Sequence, residues 1–254
     1  MAKLVWDPIG EHLYKLGVDK VVLFPWDSTQ KKWDKGVAWN GVTTITDSPS
    51  GADENKYYAN NKQYLSIRGL EQFGFTIEAY QSPEEFDKCD GQAVLAPGFK
   101  ITQQKREAFC LVYRKLIGND TEGIKHDYEY HFLYNATCSP TEETAETVNE
   151  SPEPGTMSWE CSTTAVEVPG YEPTSRAIVI ASGISSAALL KKLEDTIYGV
   201  DADPEHSIEA SDPTLLYPAE IQALLLGTDD DDELHEEENL NPANPDNSQT
   251  PGQG

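Results

Sequence analysis

Long apolar runs are absent from this chain, and cations are scarce. No hydrophobic stretch in its 254 residues approaches the roughly 20 needed to span a bilayer, so a transmembrane helix is excluded and a soluble protein is expected. Lys and Arg total 19 against 44 Asp and Glu, for a net charge of −25. That deficit argues against adhesion to nucleic acid, where Lys and Arg drive binding by releasing counterions from phosphates. Only four cysteines occur, Cys89, Cys110, Cys138 and Cys161, too far apart for any CxxC pair, and the start "MAKLVWDPIG" lacks the apolar core of a signal peptide. Synthesis in a cytosol with free thiols is the expectation. The phosphate-cradling GxxxxGK[ST] and the GxSxG elbow are also missing, as is any Cys/His pair in a recognisable setting. Motif chemistry therefore gives no enzyme, no cofactor and no catalytic residue.

What is present favours strands. Twelve Tyr, five Trp and many Val and Thr suit a pleated, half-buried surface, and 18 Gly with 16 Pro supply turns. The length allows one large or two small domains and a substantial core. Two phrases recur, "TITDSPSG" at 44–51 and "TVNESPEPG" at 147–155, as do "AYQSPEE" at 79–85 and "ATCSPTEE" at 136–143. Their order is not collinear, so they do not record a duplication. Pro lacks an N–H and pushes the residue before it out of the helical region, so each Ser-Pro reads as the end of a strand.

Along the chain, "KVVLFPW" and "GVAWNGVTTIT" read as extended pieces joined by a hairpin through "DSTQKKWDKG", "SPSGADENKYYANN" as a long loop without period or apolar content, and "KQYLSI" as a return to strand. "FGFTIEAY" alternates, with Phe73, Phe75, Ile77 and Ala79 on one side and Thr76, Glu78 and Tyr80 on the other. Ser82, Pro83 and Glu85 then form a capping-box pattern for a short helix. Strands over 106–118 and 128–137 carry apolar residues on both faces and belong near the centre of a sheet. "GTMSWECSTTAVEVPG" sets Met157, Trp159 and Cys161 against Ser158, Glu160 and Ser162. "RAIVIAS" is a further strand, and helices follow over 185–198 and from Pro218 to the stop at Gly227. The tail Thr228–Gly254 holds nine acids and no Lys or Arg, leaving −16 on the remainder, and its run "DDDDELHEEE" is too polar to pack.

Two clusters invite a chemical reading. On a strand, "HDYEYH" places Asp127, Glu129 and His131 on one face, a possible metal or acid–base set, but no fourth ligand is identifiable and the alternation is that of a half-exposed strand. The paired carboxylates Glu84/Glu85 and Glu142/Glu143 adjoin helix starts, where acids favour the helix dipole. No metal site is assigned.

From Gly36 to Val168 the phrases "GVAWNGVT", "DSPSGA", "FGFTIEAYQSPEEFDKCDG", "APGFKITQQKREAFCLVYRKLIGNDTEG" and "NESPEPGTMSWECSTT" run in order. Together they resemble the major tail protein of long-tailed, non-contractile bacteriophages of Gram-positive hosts, the tail-tube subunit, whose fold is shared with the type VI secretion tube. This likeness spans a little over half of the chain. It implies a mainly β fold over residues 1–227, a β-sandwich or half-barrel of the tail-tube type with one flanking helix and short C-terminal helices. It implies rings, hexameric in that fold group, stacked into a tube around a tape-measure protein and bounded by tail-tip and tail-terminator proteins. DNA would pass through the bore without specific binding, in a virion tail assembled in the host bacterial cytoplasm and without a membrane. An N-terminal arm at about 1–22 and an inter-strand loop at about 47–61 would reach the next ring, through Asp47, Ser48, Pro49, Ser50, Gly51, Tyr57 and Tyr58. Glu78 and Glu160, on polar strand faces, are the candidate lumen-facing acids, and the tail 228–254 receives no assembly role.

Two other classes compete. A virion decoration or host-surface binding β-sandwich predicts a stable monomer or trimer that does not polymerise, and a carboxylate hydrolase predicts a deep cleft holding a strongly perturbed acid.

Overall fold

The computed structural model describes residues 4–140, 147, 154–203 and 209–227, and these are mainly β. In chain order the strands are β1 (Tyr14–Asp27), β2 (Lys32–Trp33), β3 (Val37–Ala38), β4 (Val42–Asp47), β5 (Ser50–Gly51), β6 (Glu54–Ala59), β7 (Lys62–Arg68), β8 (Glu71–Gln72) and β9 (Gly74–Ala79). After a helical turn at Glu84–Phe86 come β10 (Ala93–Ala96), β11 (Phe99–Ile101), β12 (Phe109–Asn119), β13 (Gly123–Cys138), β14 (Met157–Thr163), β15 (Val166–Val168), β16 (Tyr171–Thr174) and β17 (Arg176–Ile180). Two helices close the described chain, α1 (Ala187–Tyr198) and α2 (Pro218–Leu226).

One antiparallel sheet runs β2-β1-β12-β13-β14-β9-β4, with β17 also on β13 and β3 also on β1. Its organising strand is β13. Residues Glu129–Leu133 pair with β17, whereas Ala136–Cys138 pair with β14 on the same side. Between them Asn135 has φ +46°, and the β12 register slips there. An extra residue in one strand bends it and sharpens its twist. Here the bulge marks the point where the second edge of β13 passes from β17 to β14, which carries β9 and β4.

Period-two alternation then fills two cores. Val21 and Leu23, Phe109, Leu111 and Tyr113, and Leu133 face one side, where Phe75, Ile77, Trp159 and Phe86 close over them. Val22 and Phe24, Cys110 and Val112, and Tyr130, Phe132 and Tyr134 face the other, beneath Leu193 and Ile197 of α1 and Ile221 and Leu224 of α2. Each fully buried aromatic or aliphatic side chain contributes about 1.5–3 kcal/mol. Both faces of the β1-β12-β13 centre are dry, as the two-sided apolar pattern of 106–118 requires. Polar tips orient the helical layer: Tyr128 and Tyr130 donate to Glu194 Oε1 at 2.9 and 2.6 Å, and Tyr134 donates to the Leu216 carbonyl at 3.0 Å. Ser186 caps α1 by accepting from the Ala188 N–H, and Gly199, with φ +75°, ends it.

Several expectations need correction. The arm does not extend to residue 22, because β1 begins at Tyr14 and Val21 and Val22 lie in the core; only 4–13 precede the sheet. The hairpin expected through "DSTQKKWDKG" is present, since β1 pairs antiparallel with β2, Trp26 opposite Trp33 and Asp27 opposite Lys32, and β3 pairs back on β1. The extended piece does not continue along β1, however: β4 leaves to pair with β9, where its apolar residues reach the first core. Ser82 does not cap a helix; the turn at Glu84–Phe86 is a single 3₁₀ turn preceded by Pro83, with no side-chain cap. The Ser-Pro reading fares better, since β4, β9 and β13 end at Asp47, Ala79 and Cys138, one to three residues ahead of Ser48-Pro49, Ser82-Pro83 and Ser139-Pro140. Ser151-Pro152, Glu142/Glu143 and the tail 228–254 lie outside the described residues.

Candidate functional site

The segment read as an irregular loop at 47–61 is a β-ribbon. β5 pairs with β8 as its root, and β6 with β7 as its shaft, which closes through Asn60 and Asn61. Both turn residues have positive φ, 51° and 59°, the geometry of a two-residue hairpin whose twist matches its strands. The strand read in "KQYLSI" is β7, whereas β6 lay within the expected loop, because a ribbon that packs on none of the described residues shows no core-facing period. Its seven-residue strand β7 gives it a reach of about 23 Å.

Pairing register sorts its side chains. Tyr57 opposes Leu65 and Asn55 opposes Ile67, while Lys56 opposes Ser66 and Glu54 opposes Arg68. One face therefore carries Tyr57, Leu65 and Ile67 and the other is charged, with Ser66 donating to Glu54 Oε1 at 2.5 Å. All residues of both strands are exposed, with Tyr58 at 69% and Tyr64 at 75%. A lone two-stranded hairpin is marginal in water, and this one leaves an apolar face uncovered. Against the acidity of the chain, between Asn55 and Leu70 stand Lys56, Lys62 and Arg68 and no acid, as Lys100, Lys105 and Arg106 do over residues 91–106.

The expected site residues divide between shaft and root. Tyr57 and Tyr58 are on the shaft, whereas Ser50 and Gly51 form the root pair with Gln72 and Glu71. Ser48 donates its N–H to the Gly74 carbonyl at 2.7 Å, and Pro49 lies beside it. Asp47 belongs to β4 and accepts from Arg176 of β17 at 2.5 Å, pinning the root to the sheet. Leu65 and Ile67 share the apolar face of Tyr57, and they and Tyr64 were missed because they lie beyond the expected loop boundary.

Glu78 and Glu160 share a face. Glu78 opposes Ser158 and Thr44, and Glu160 opposes Thr76, so period two brings both acids onto a Ser/Thr-rich polar surface of β4-β9-β14, opposite the face bearing Ile77 and Trp159. A second surface lies along β17. Among the described residues its far edge pairs with no strand, and Ile178 and Ile180 stand 47% and 45% exposed beside a groove completed by Leu225 and Leu226 of α2. The arm presents Leu4, Val5, Trp6 and Ile9, anchored where Asp120 accepts from the Gly10 N–H at 3.0 Å and meets His12 at 2.9 Å.

The residues weighed for acid–base chemistry form an internal chain. Lys15 Nζ donates to Glu129 Oε2 at 2.7 Å, and Glu129 Oε1 lies 2.8 Å from His131 Nε2. His131 Nδ1 lies 2.6 Å from Arg176 Nη2, and Arg176 continues to Asp47. Guanidinium nitrogen only donates, so His131 accepts at Nδ1, carries its proton on Nε2 and is neutral. Burial, the neighbouring Arg176 charge and Lys115 lower its pKa against the opposing pull of Glu129. Burial raises the Glu129 pKa, but hydrogen bonds from Lys15 and His131 outweigh it and hold the carboxyl below its usual range. Tyr113 stacks on the imidazole at 4.7 Å between centroids. With a cation at each end, the chain is a cross-brace linking β1, β13, β17 and β4. Among the described residues no group of three His, Cys, Asp or Glu side chains is gathered to hold a metal ion, and no helix is long and apolar enough to cross a membrane.

No protein family and no curated protein matches the sequence. Among solved structures, similarity is found to a chain of the anti-feeding prophage baseplate, at 6% identity and TM-score 0.33, over 69% of this chain and 97% of the other. A chain of the cap that terminates the anti-feeding prophage tube is similar at 12% identity and TM-score 0.30, over 71% and 97%. A chain of the extended sheath–tube complex of an extracellular contractile injection system, PVC, is similar at 12% identity and TM-score 0.29, over 69% and 93%. Superpositions this loose carry neither a fold nor a role across.

Proposed function

We propose that the chain is a structural, non-catalytic virion protein that assembles into stacked rings, hexameric by the resemblance, forming the tube of a phage tail. The observation that carries this reading is the β5–β8 ribbon, an ordered projection with an apolar face that no other described residue covers. Support also comes from the open edges of β17 and β4, since unpaired edges invite pairing with another copy and a closed heterologous contact gives a ring. Asp47, Ser48, Pro49, Ser50, Gly51, Tyr57 and Tyr58 then belong to the element that reaches the next ring, with Asp47 fixing its root. The polar face bearing Glu78 and Glu160 lines the bore, where like charge keeps DNA from adhering. In this reading the tape-measure protein fills the tube, tail-tip and tail-terminator proteins bound it, and assembly takes place in the host bacterial cytoplasm.

Negative-stain electron microscopy of the concentrated protein, in low and then moderate salt, tests the proposal. Rings or tubes of uniform bore are expected, appearing more readily once salt screens repulsion between subunits of charge −25. Monodisperse monomers under every condition, including with a seeding tail-tip complex, would overturn it in favour of a decoration or host-surface binding module.

A further inference from the structure

All four cysteines are free and buried, but they are not equivalent. Cys138 of β13 and Cys161 of β14 are direct cross-strand partners, and their sulfurs lie 3.2 Å apart with one thiol donating to the other. The ladder identifies the kind of pair. Ser139 donates its N–H to the Glu160 carbonyl, so the hydrogen bond flanks the two cysteines and does not join them. In antiparallel sheets such non-hydrogen-bonded partners have the closest backbones, with Cα atoms about 4.5 Å apart, inside the range a disulfide spans. Cys89 and Cys110 bond to the backbone instead, through the Ala108 carbonyl and the Asn135 N–H.

We infer that Cys138 and Cys161 form an oxidisable staple, a cross-strand disulfide site taking a small peroxide as oxidant. Both cysteines are 3% exposed, and Cys161 also lines a pocket with Phe73, Gly74, Ser139 and Glu160 through which an oxidant can approach it. It reacts first: its sulfur attacks one peroxide oxygen, the O–O bond breaks, and Cys161 becomes a sulfenic acid with release of one water. The Cys138 sulfur then attacks that sulfenic sulfur, the S–O bond breaks, the S–S bond forms and a second water leaves. Two thiols lose two electrons and two protons, and hydrogen peroxide becomes two waters. The hydrogen bond with Cys161 and then burial raise the Cys138 pKa, so Cys138 is slow to start the reaction and resolves it only as its proton is lost to the departing hydroxide as water, a step that mildly alkaline pH assists. The bond would tie β13 to β14 immediately past the bulge where the sheet splits, beneath Ser48 and Ser50 at the ribbon root. This chemistry stands without the tail-tube reading; only its timing, reduced in the host cytosol and oxidised in the released particle, rests on it.

The test treats the full chain with hydrogen peroxide at mildly alkaline pH, denatures it in an alkylating reagent and maps cysteine peptides by mass spectrometry. A linked Cys138–Cys161 pair two hydrogen masses lighter is expected, with Cys89 and Cys110 alkylated in full and the link removed by reductant. The thermal midpoint should rise by about 5–10 °C in the linked form. In C138S the same treatment should leave Cys161 as a sulfenic acid captured by dimedone. Cys138 and Cys161 both remaining alkylatable in the wild type, or Cys161 over-oxidised without a link, would overturn the inference. Because the readout is a covalent bond within one chain, it is independent of whether tubes form.

Discussion

His131 shows how one buried side chain can set the acid tolerance of this fold. Its folded pKa lies below the ordinary value of about 6.5, so between the two the unfolded chain binds the proton and the native chain does not. Its stabilisation is therefore complete above about pH 6.5 and is lost as pH falls through the folded pKa. Glu129, also lowered, adds a second loss below about pH 4.3, in the same direction. Protonation of His131 would also turn Nδ1 from an acceptor into a donor facing the Arg176 guanidinium 2.6 Å away. H131Q keeps one acceptor and one donor without titrating, so its thermal midpoint should change less between pH 7 and pH 5 than that of the wild type. H131F removes the partner of Glu129 Oε1 and of Arg176 Nη2, while Lys15 and Asp47 still pair the two charges, and should cost about 1–3 kcal/mol in denaturant titrations at pH 7. The sequence placed Glu129 and His131 on one strand face but could not supply Lys15 and Arg176, which arrive from 114 and 45 residues away.

At the scale of elements, what the sequence revealed depended on whether a segment packs. Strands β9, β12 and β14 were legible because one or two dry faces impose alternation, and α1 because Ser186 and Gly199 bracket its apolar stripe. Gly199 is needed for two reasons, its φ of +75° and the Ser211 carbonyl and Pro213 ring, which lie 2.7 and 2.8 Å from where a Cβ would sit. G199A should therefore destabilise by about 2 kcal/mol or more, measured by urea unfolding, whereas S186A should cost about 1 kcal/mol through the lost cap. The ribbon was legible only in its second strand, β7, through "KQYLSI"; β6 was not, because neither face of the ribbon meets a core of the described residues. Replacing Tyr57, Leu65 and Ile67 by Ser removes the apolar face and leaves the Asn60-Asn61 turn. If the ribbon joins rings, that variant should retain the thermal midpoint within about 2 °C, since it loses no buried contact within its own chain. Under the microscope it should give single rings in place of tubes. Tubes of normal length would remove the ribbon from stacking.

For the whole molecule, charge decides what the assembled form can tolerate. Thr228–Gly254 accounts for nine acids, yet the remainder is still −16, so repulsion between copies belongs to the folded body as well as to the tail. If the chain assembles as proposed, short contacts must overcome it, and screening on the scale of the Debye length, about 8 Å at physiological ionic strength, should lower the concentration at which rings appear. The same acidity should make the bore slippery to DNA, and here the two acids of the β9-β14 face can be separated from the rest. Each Glu-to-Lys change shifts the charge by two, so E78K/E160K carries −21 and remains strongly acidic overall. If that face lines the bore, the double variant should assemble normally but retain double-stranded DNA on a nitrocellulose filter at low salt, with retention lost as salt rises. If that face instead meets another subunit, the same variant should fail to form rings and bind no DNA, because four units of charge will have been altered at a contact rather than beside a channel.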